Sequence, residues 1–355
     1  VVSFYDSVNN GIVTGNDYIG GFVGGIFCIT NMTMTISNSI SNGNITGSST
    51  VGGFVGSIKS NTNIAMTISN STNNANVIGS EFYFGGFIGL VRDNTNMAIT
   101  IFDSINNGDV TGSNQYSGGF IGIFNEYNIN MTVVISNSIN NGIVTGSDYV
   151  GGFVGIFDSN NINVTVTISN SANNGNVTGS NSVGGFVGVA DNYEEAKSVL
   201  MNNCTNNGVI NGEKAVGGFF GRINHAEHSE VVISCSKNHG VVTGGDDVGS
   251  FFGQLYIGKN MSVQMINDTN SGGIVTEGNA GGFIGRLVNS ATMVIAKCSN
   301  NSSIKVRDCH NFVGGIIGVT DGGDSPQPSK LVLSSVTNDH SIVVGCNSCS
   351  VGGLI

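Results

Sequence analysis

Gly85-Gly86-Phe87-Ile88-Gly89 decides the fold, because the chain keeps returning to it. The motif Gly-Gly-Phe-(Val/Ile)-Gly begins at Gly20, Gly52, Gly85, Gly118, Gly151, Gly184 and Gly281, and variants begin at Gly217, Gly249, Gly314 and Gly352. The steps are 32, 33, 33, 33, 33, 33, 32, 32, 33 and 38 residues. A fixed period of this size is the mark of a stacked-repeat architecture, in which each unit buries its apolar face only against its neighbours.

Two further signals accompany each copy. One is an asparagine doublet with glycine and a short apolar stretch, as in Asn106-Asn107-Gly108-Asp109-Val110-Thr111-Gly112. The other is an alternating run such as Met32-Thr33-Met34-Thr35-Ile36 or Val164-Thr165-Val166-Thr167-Ile168. Alternation with β-branched residues specifies a strand, and Asn-Gly specifies a turn through residues that tolerate positive φ. Asn-Gly between strands also signals a hairpin. Once-per-repeat recurrence of the same residues favours a parallel stack, where copies lie above one another at ~4.8 Å. The expected fold is therefore all-β: a right-handed parallel β-solenoid of about eleven coils of ~33 residues, three short strands to the coil. Residues 1–355 form one domain, expected to be a segment of a longer repeat protein, because the chain opens at Val1 and stops at Ile355 inside repeats. Both prolines, Pro326 and Pro328, fall in the one long step, so residues 321–329 are expected to protrude as a loop.

The side chains also predict facing. The position after each motif holds Gly25, Ser57, Leu90, Ile123, Ile156, Val189, Arg222, Gln254 and Arg286; it accepts charge and faces out. The next holds Ile26, Ile58, Val91, Phe124 and Phe157 and faces in. Period-two alternation then puts Phe22, Phe54, Phe87, Phe120, Phe153 and Phe186 inside and Val23, Val55, Ile88 and Ile121 outside, unless a bulge at the Gly-Gly pair reverses the order. In the alternating run, Met32, Met34 and Ile36 point in. Thr33, Thr35, Thr67, Thr100, Thr132, Thr165 and Thr167 point out, interrupted by Ala65, Ala98 and Val134, as a flat face on the first five coils.

The net charge of −11 argues against a nucleic-acid partner, which needs a basic patch. Of the 12 Lys and Arg, only Lys59 and Arg92 precede Lys197, so the first half offers trypsin almost nothing to cut. No run of 18 apolar residues exists to make a transmembrane helix.

The recurring Gly-apolar-apolar-Gly, as in Gly21-Phe22-Val23-Gly24, resembles the GLUG motif of large bacterial and protist surface proteins, including adhesin-like ones. The resemblance covers nearly the whole chain. It implies a secreted or surface repeat protein with a β-helical fold, and it supplies no catalytic residues.

Little in the sequence speaks for catalysis or cofactors. No Ser-His-Asp or paired-carboxylate arrangement recurs, and neither cofactor nor metal is expected. Asp246-Asp247 and Glu194-Glu195 read as ordinary loop charges, and His225 and His228 as members of a solvated turn. Seven cysteines occur. Cys204 and Cys235 fall at nearly matching places in neighbouring coils, as do Cys309 and the Cys346/Cys349 pair, so cross-coil disulfides are candidates in an oxidising setting, against buried unpaired thiols. Among the Asn-x-Ser/Thr sequons, Asn31, Asn130, Asn163 and Asn260 recur before the alternating strand and are the candidates for glycosylation.

The expected function is non-enzymatic: an extracellular or cell-surface structural or adhesive rod, a stalk, sheath or filament subunit. Its expected partners are further copies of itself, end to end or side by side, and host or cell-surface glycans. The alternative is a recognition module that binds ice or a polysaccharide through the Thr face.

Overall fold

The alternating run forms the longest strands of the coil. In one coil of the computed structural model, Thr62–Ser69 lies in sheet A, Thr72–Asn73 in sheet B, Val77–Gly79 in sheet C, Phe82–Gly85 in sheet D and Ile88–Arg92 in sheet E. Each pairs in parallel with its counterpart one repeat away, so every sheet runs along the molecule and the chain winds around it. Residues 1–191, 197–224, 228–289, 292–307, 311–322, 330–344 and 349–355 are described.

The chain is an all-β parallel β-solenoid of five sheets. Among the described residues, sheets A to D hold eleven strands each and sheet E ten, so ten coils close through all five sheets, one fewer than the eleven motif copies. Five strands per coil replace the expected three. The strands that escaped the sequence pattern are the two-residue strands of sheet B, which end at the first asparagine of the doublet, and the segments before each Gly-Gly pair. Both are too short for alternation to show. No helix among the described residues is long and apolar enough to cross a membrane.

The motif itself turns the corner between sheets D and E. Phe54, Phe87, Phe120, Phe153 and Phe186 are fully buried, as expected. Nine rings from Phe22 to Phe283 stack at 4.5–5.0 Å between centroids, which is the spacing of parallel strands. Val55, Ile88 and Ile121 are also fully buried, and Val23 packs against the same core, contrary to the outward assignment. The reason is the corner. The chain bends at Gly-Phe, alternation restarts with Val55 inside, and Ile58, three residues on, points in again, so the period of two is broken between them.

The interior is two cores rather than one. The phenylalanine row packs with sheets A and E, whereas Val77, Val110, Val144, Val150 and their equivalents from sheets C and D form a separate cluster. Between them runs a row of buried asparagines from sheet B, Asn73, Asn106, Asn140, Asn173, Asn206, Asn238, Asn270 and Asn300, ending at the half-buried Asn338. Each Nδ2 donates to the Oδ1 of the next coil at 2.7–3.0 Å. Across the interior from this row lies the second glycine of each motif. A Cβ on Gly86 would come within 2.6 Å of Asn106 Oδ1. Glycine is required there for close approach, not for backbone freedom. No glycine among the described residues has positive φ. The left-handed conformation sits instead on residues such as Asn38, Asn70, Asp103, Asn137 and Asn170, just after the sheet A strands.

Candidate functional site

The outer face of sheet A is the most regular surface of the molecule. Five consecutive strands, Thr30–Ser37, Thr62–Ser69, Thr95–Phe102, Ile129–Ser136 and Ile162–Ser169, stack in register and carry no charged residue. Their outward positions fall in two rows: Thr33, Ala65, Ala98, Thr132 and Thr165, then Thr35, Thr67, Thr100, Val134 and Thr167. The Thr residues named from the sequence are thus brought together on one face. The rows end in the next coils, where Ser198 and Leu200, then Glu230 and Val232, take these places.

A third row on this face was missed as a unit. Asn31, Asn63, Asn96, Asn130 and Asn163 are exposed, with φ of 52–58°. They form a surface amide ladder, each Nδ2 donating to the Oδ1 of the preceding coil at 2.9–3.1 Å. Asn31, Asn63, Asn96 and Asn130, with Thr33, Ala65, Ala98 and Thr132, line a shallow open trough on this face. Three members of the ladder are the sequons Asn31, Asn130 and Asn163. A glycan on Asn130 or Asn163 would be carried by a nitrogen that already donates in the ladder. Asn260, the fourth candidate, is exposed with its Nδ2 3.0 Å from His228 Nε2. His225 lies outside the described residues.

A second surface feature runs along the junction of sheets D and E. The outward positions Leu90, Ile123, Ile156 and Val189 do face away from the two cores, but they are at most 4 % exposed, because Tyr83, Tyr116 and Tyr149 fold over them. The rings stack at 5.4 and 5.3 Å, and burial pushes the Tyr83 and Tyr116 phenols above their ordinary range. The signal was present in the sequence: Tyr recurs two residues before the Gly-Gly pair at Tyr18, Tyr83, Tyr116 and Tyr149.

Further along, the same outward row becomes Arg222, Gln254 and Arg286. Here Asp247 is fully buried, not a loop charge. Gln254 Nε2 and Asn279 Nδ2 donate to its carboxylate at 2.6 and 2.8 Å, and Arg286 Nη1 lies 3.6 Å away. Desolvation pushes this carboxyl up while these amides and the guanidinium pull it back. Arg286 Nε also donates to Asp321 at 2.8 Å. Asp321 and Gly322 end a sheet E strand, Ile317–Gly322; the rest of the expected loop, 323–329, lies outside the described residues.

The pairing of Cys204 with Cys235 fails on register. Cys204 is aligned with Ser236, whose Oγ accepts its backbone N–H at 3.2 Å, and it is buried. Cys235 is the neighbour of that position, exposed at φ 53°. One residue along a strand reverses the facing, so the two thiols point apart and stay unbridged. Burial pushes the Cys204 thiol up to about 12, as expected of an inert core thiol.

The expected pairing of Cys309 with Cys346 or Cys349 falls largely outside the described residues, which include only Cys349 of the three. Cys349 is half-buried and directly precedes the sheet D strand Ser350–Gly352. Ser350 pairs with Phe312, so Cys349 stands in line with Asn311 of the preceding coil, two residues beyond Cys309 in sequence. No disulfide joins Cys349 to another described cysteine. Cys309, Cys346 and Glu194-Glu195 lie outside the described residues. Among the described residues no group of three or more His, Cys, Asp or Glu is placed to hold a metal ion.

No family model matches this sequence, and no curated protein matches it, so the GLUG likeness remains one of motif alone. Among solved structures, the chain is similar to "a putative immunoglobulin A1 protease from Bacteroides ovatus". The match covers 87 % of this chain and 83 % of that one at 16 % identity and a TM-score of 0.40. A likeness this remote carries no argument about activity.

Proposed function

We propose that the chain is a non-enzymatic structural or adhesive rod that works outside the cell, at its surface or in a sheath or filament. The observation that supports this is the uninterrupted registration of five parallel sheets from the first coil to the last. The phenylalanine stack from Phe22 to Phe283 and the asparagine row from Asn73 to Asn338 hold coil to coil along most of the chain. The outer sheet A face of the first five coils is neutral and repetitive, which suits side-by-side contact with further copies or with uncharged glycans. Negative-stain electron microscopy over a range of concentrations tests the reading. Straight rods or filaments built from them support it; compact particles with no long axis end it.

A second reading is favoured by the sheet A trough: recognition of a linear neutral polysaccharide or an ice surface by the Thr and Asn rows. Replacing Thr33, Thr132 and Thr165 together by Lys should abolish retention on an insoluble glycan or thermal hysteresis. If the unmodified protein shows neither, this reading is discarded.

A further inference from the structure

The corner between sheets E and A holds another buried amide ladder, and its end is chemically unlike the rest. Asn61, Asn94, Asn128 and Asn161 are buried, the first three each donating from Nδ2 to the Oδ1 of the next at 2.9–3.0 Å. Asn161 Oδ1 therefore accepts from Asn128 Nδ2, and it accepts from the Asn128 backbone N–H as well, at 3.0 Å. Two N–H groups already polarise this carboxamide carbonyl.

Beyond Asn161 a lysine enters the corner. Lys197 sits inward on sheet A in register with Val164 of the preceding coil and is 8 % exposed. Its Nζ donates to the carbonyl oxygens of Asp158 at 2.7 Å and Asp191 at 2.6 Å. Asn161 Nδ2 donates to the same Asp158 oxygen at 2.8 Å. Amine and carboxamide thus share one acceptor. Both line a cavity whose walls are otherwise mainly apolar, Phe124, Phe157, Val166 and Ala190 among them. Asp191 borders the same cavity. Its Oδ1 is buried and has no hydrogen-bond partner among the described residues, and its Oδ2 lies 4.0 Å from Arg222 Nη2. Burial lowers the Lys197 ammonium to about 7 and raises the Asp191 carboxyl. At neutral pH a fraction of the amine is therefore unprotonated, the state in which it is a nucleophile.

We propose that Lys197 and Asn161 react to form an intramolecular isopeptide bond that staples neighbouring coils, with Asp191 carrying the proton. The unprotonated Nζ attacks Asn161 Cγ. Negative charge gathers on Oδ1, where the two Asn128 N–H groups already donate, as an oxyanion site requires. The proton released by Nζ passes through the Asp191 carboxyl to Nδ2, the Cγ–Nδ2 bond breaks, and ammonia leaves. The product is a secondary amide, and the chain is lighter by one NH3. No oxidant or cofactor takes part.

Mass spectrometry of the denatured whole chain tests this. The expected result is a deficit of one ammonia against the sequence mass, with trypsin unable to cut after Lys197. That leaves residues 93–214 in one fragment, since Arg92 and Lys214 are the flanking sites. The deficit must lie on that fragment and join Lys197 to Asn161 in its fragmentation spectrum. Succinimide formation at an Asn-Gly pair also loses ammonia, so a deficit accompanied by normal cleavage at Lys197 overturns the proposal, as does a full sequence mass. Asp191→Asn should slow or stop the reaction while Lys197 stays buried; an undiminished deficit in that variant overturns the proton-carrying role. Because the first measurement uses the unmodified chain, failure of a variant to fold does not affect it.

Discussion

Asp268 shows how much one residue can weigh in a repeated structure. It stands in a buried row otherwise made of Ser39, Ser71, Ser104, Ser138, Ser171, Cys204, Ser236 and Cys298. In the serine coils the hydroxyl accepts a backbone N–H of the preceding coil and donates to the carbonyl two residues back, as Ser71 does to Ser69 at 2.7 Å. Asp268 accepts from Ser236 N at 2.8 Å and from Ile266 N at 3.0 Å, with no ion pair to a described cation. Desolvation outweighs these two bonds and raises its carboxyl to about 7. The unfolded value is about 4. The folded state therefore holds the proton more tightly, and the stability tied to it is complete below about pH 4 and is lost as pH rises through 7. The loss is on the order of a few kcal/mol for a shift of this size. Asp268→Ser, the residue of its own row, should raise the denaturation midpoint at pH 8 far more than at pH 4. An equal gain at both pH values would show that the carboxyl does not titrate in this window.

At the scale of the element, the ladders explain why the coils stay in register. The buried sheet B row donates toward the C-terminal coils, from Asn73 to Asn338, while the exposed row of Asn10, Asn42, Asn74, Asn107, Asn141, Asn174 and Asn207 donates the opposite way. The two runs of amide dipoles therefore oppose each other. The buried row is interrupted once, at Ser41, which lies in register between Asn9 and Asn73. The consequence is local and visible: Asn9 Nδ2, Ser41 Oγ and Asn73 Oδ1 are all buried without a partner. An orphaned buried polar group costs about 1–3 kcal/mol. Ser41→Asn should let Asn9 donate to the new Oδ1 and the new Nδ2 donate to Asn73, facing Gly21 as Asn73 faces Gly53. We expect a gain of about 1–2 kcal/mol in urea denaturation. No gain would mean that an ordered water already satisfies these atoms.

For the whole molecule, stacking makes length additive and shape simple. Ten steps between eleven strands give a rod about 48 Å long, from the ~4.8 Å strand spacing. Rods of about this length at low concentration are the expected image in the microscope, whether or not they join at higher concentration. The cross-section is divided into two cores. Sheets A and E close on phenylalanine, sheets C and D close on valine, and the asparagine row and motif glycines form the shared wall. In one coil Ser250 takes the place of the second glycine in that wall and is accommodated there by donating its Oγ to the Gly282 carbonyl.

The sequence by itself determined the parallel stack, the inward phenylalanines and the Thr rows of sheet A. Each rests on a period, either of 33 residues between coils or of two along a strand long enough to display it. Tertiary structure decided the rest. Strands of two to four residues show too little alternation to read, so sheets B and D were hidden. The corner at Gly-Phe resets the alternation, so Val55 and Ile88 turned inward against the pattern. A one-residue offset, 31 residues between Cys204 and Cys235 where the register step is 32, put them on opposite faces, and the pairing of Ser350 with Phe312 set Cys349 beside Asn311. Asp247 and Lys197 were ordinary charges in the chain and became buried groups because coils far along the sequence closed around them. Periodicity records which residues recur. Only the closed coil sets what each recurring residue faces, and that is where the polar chemistry of this molecule is made.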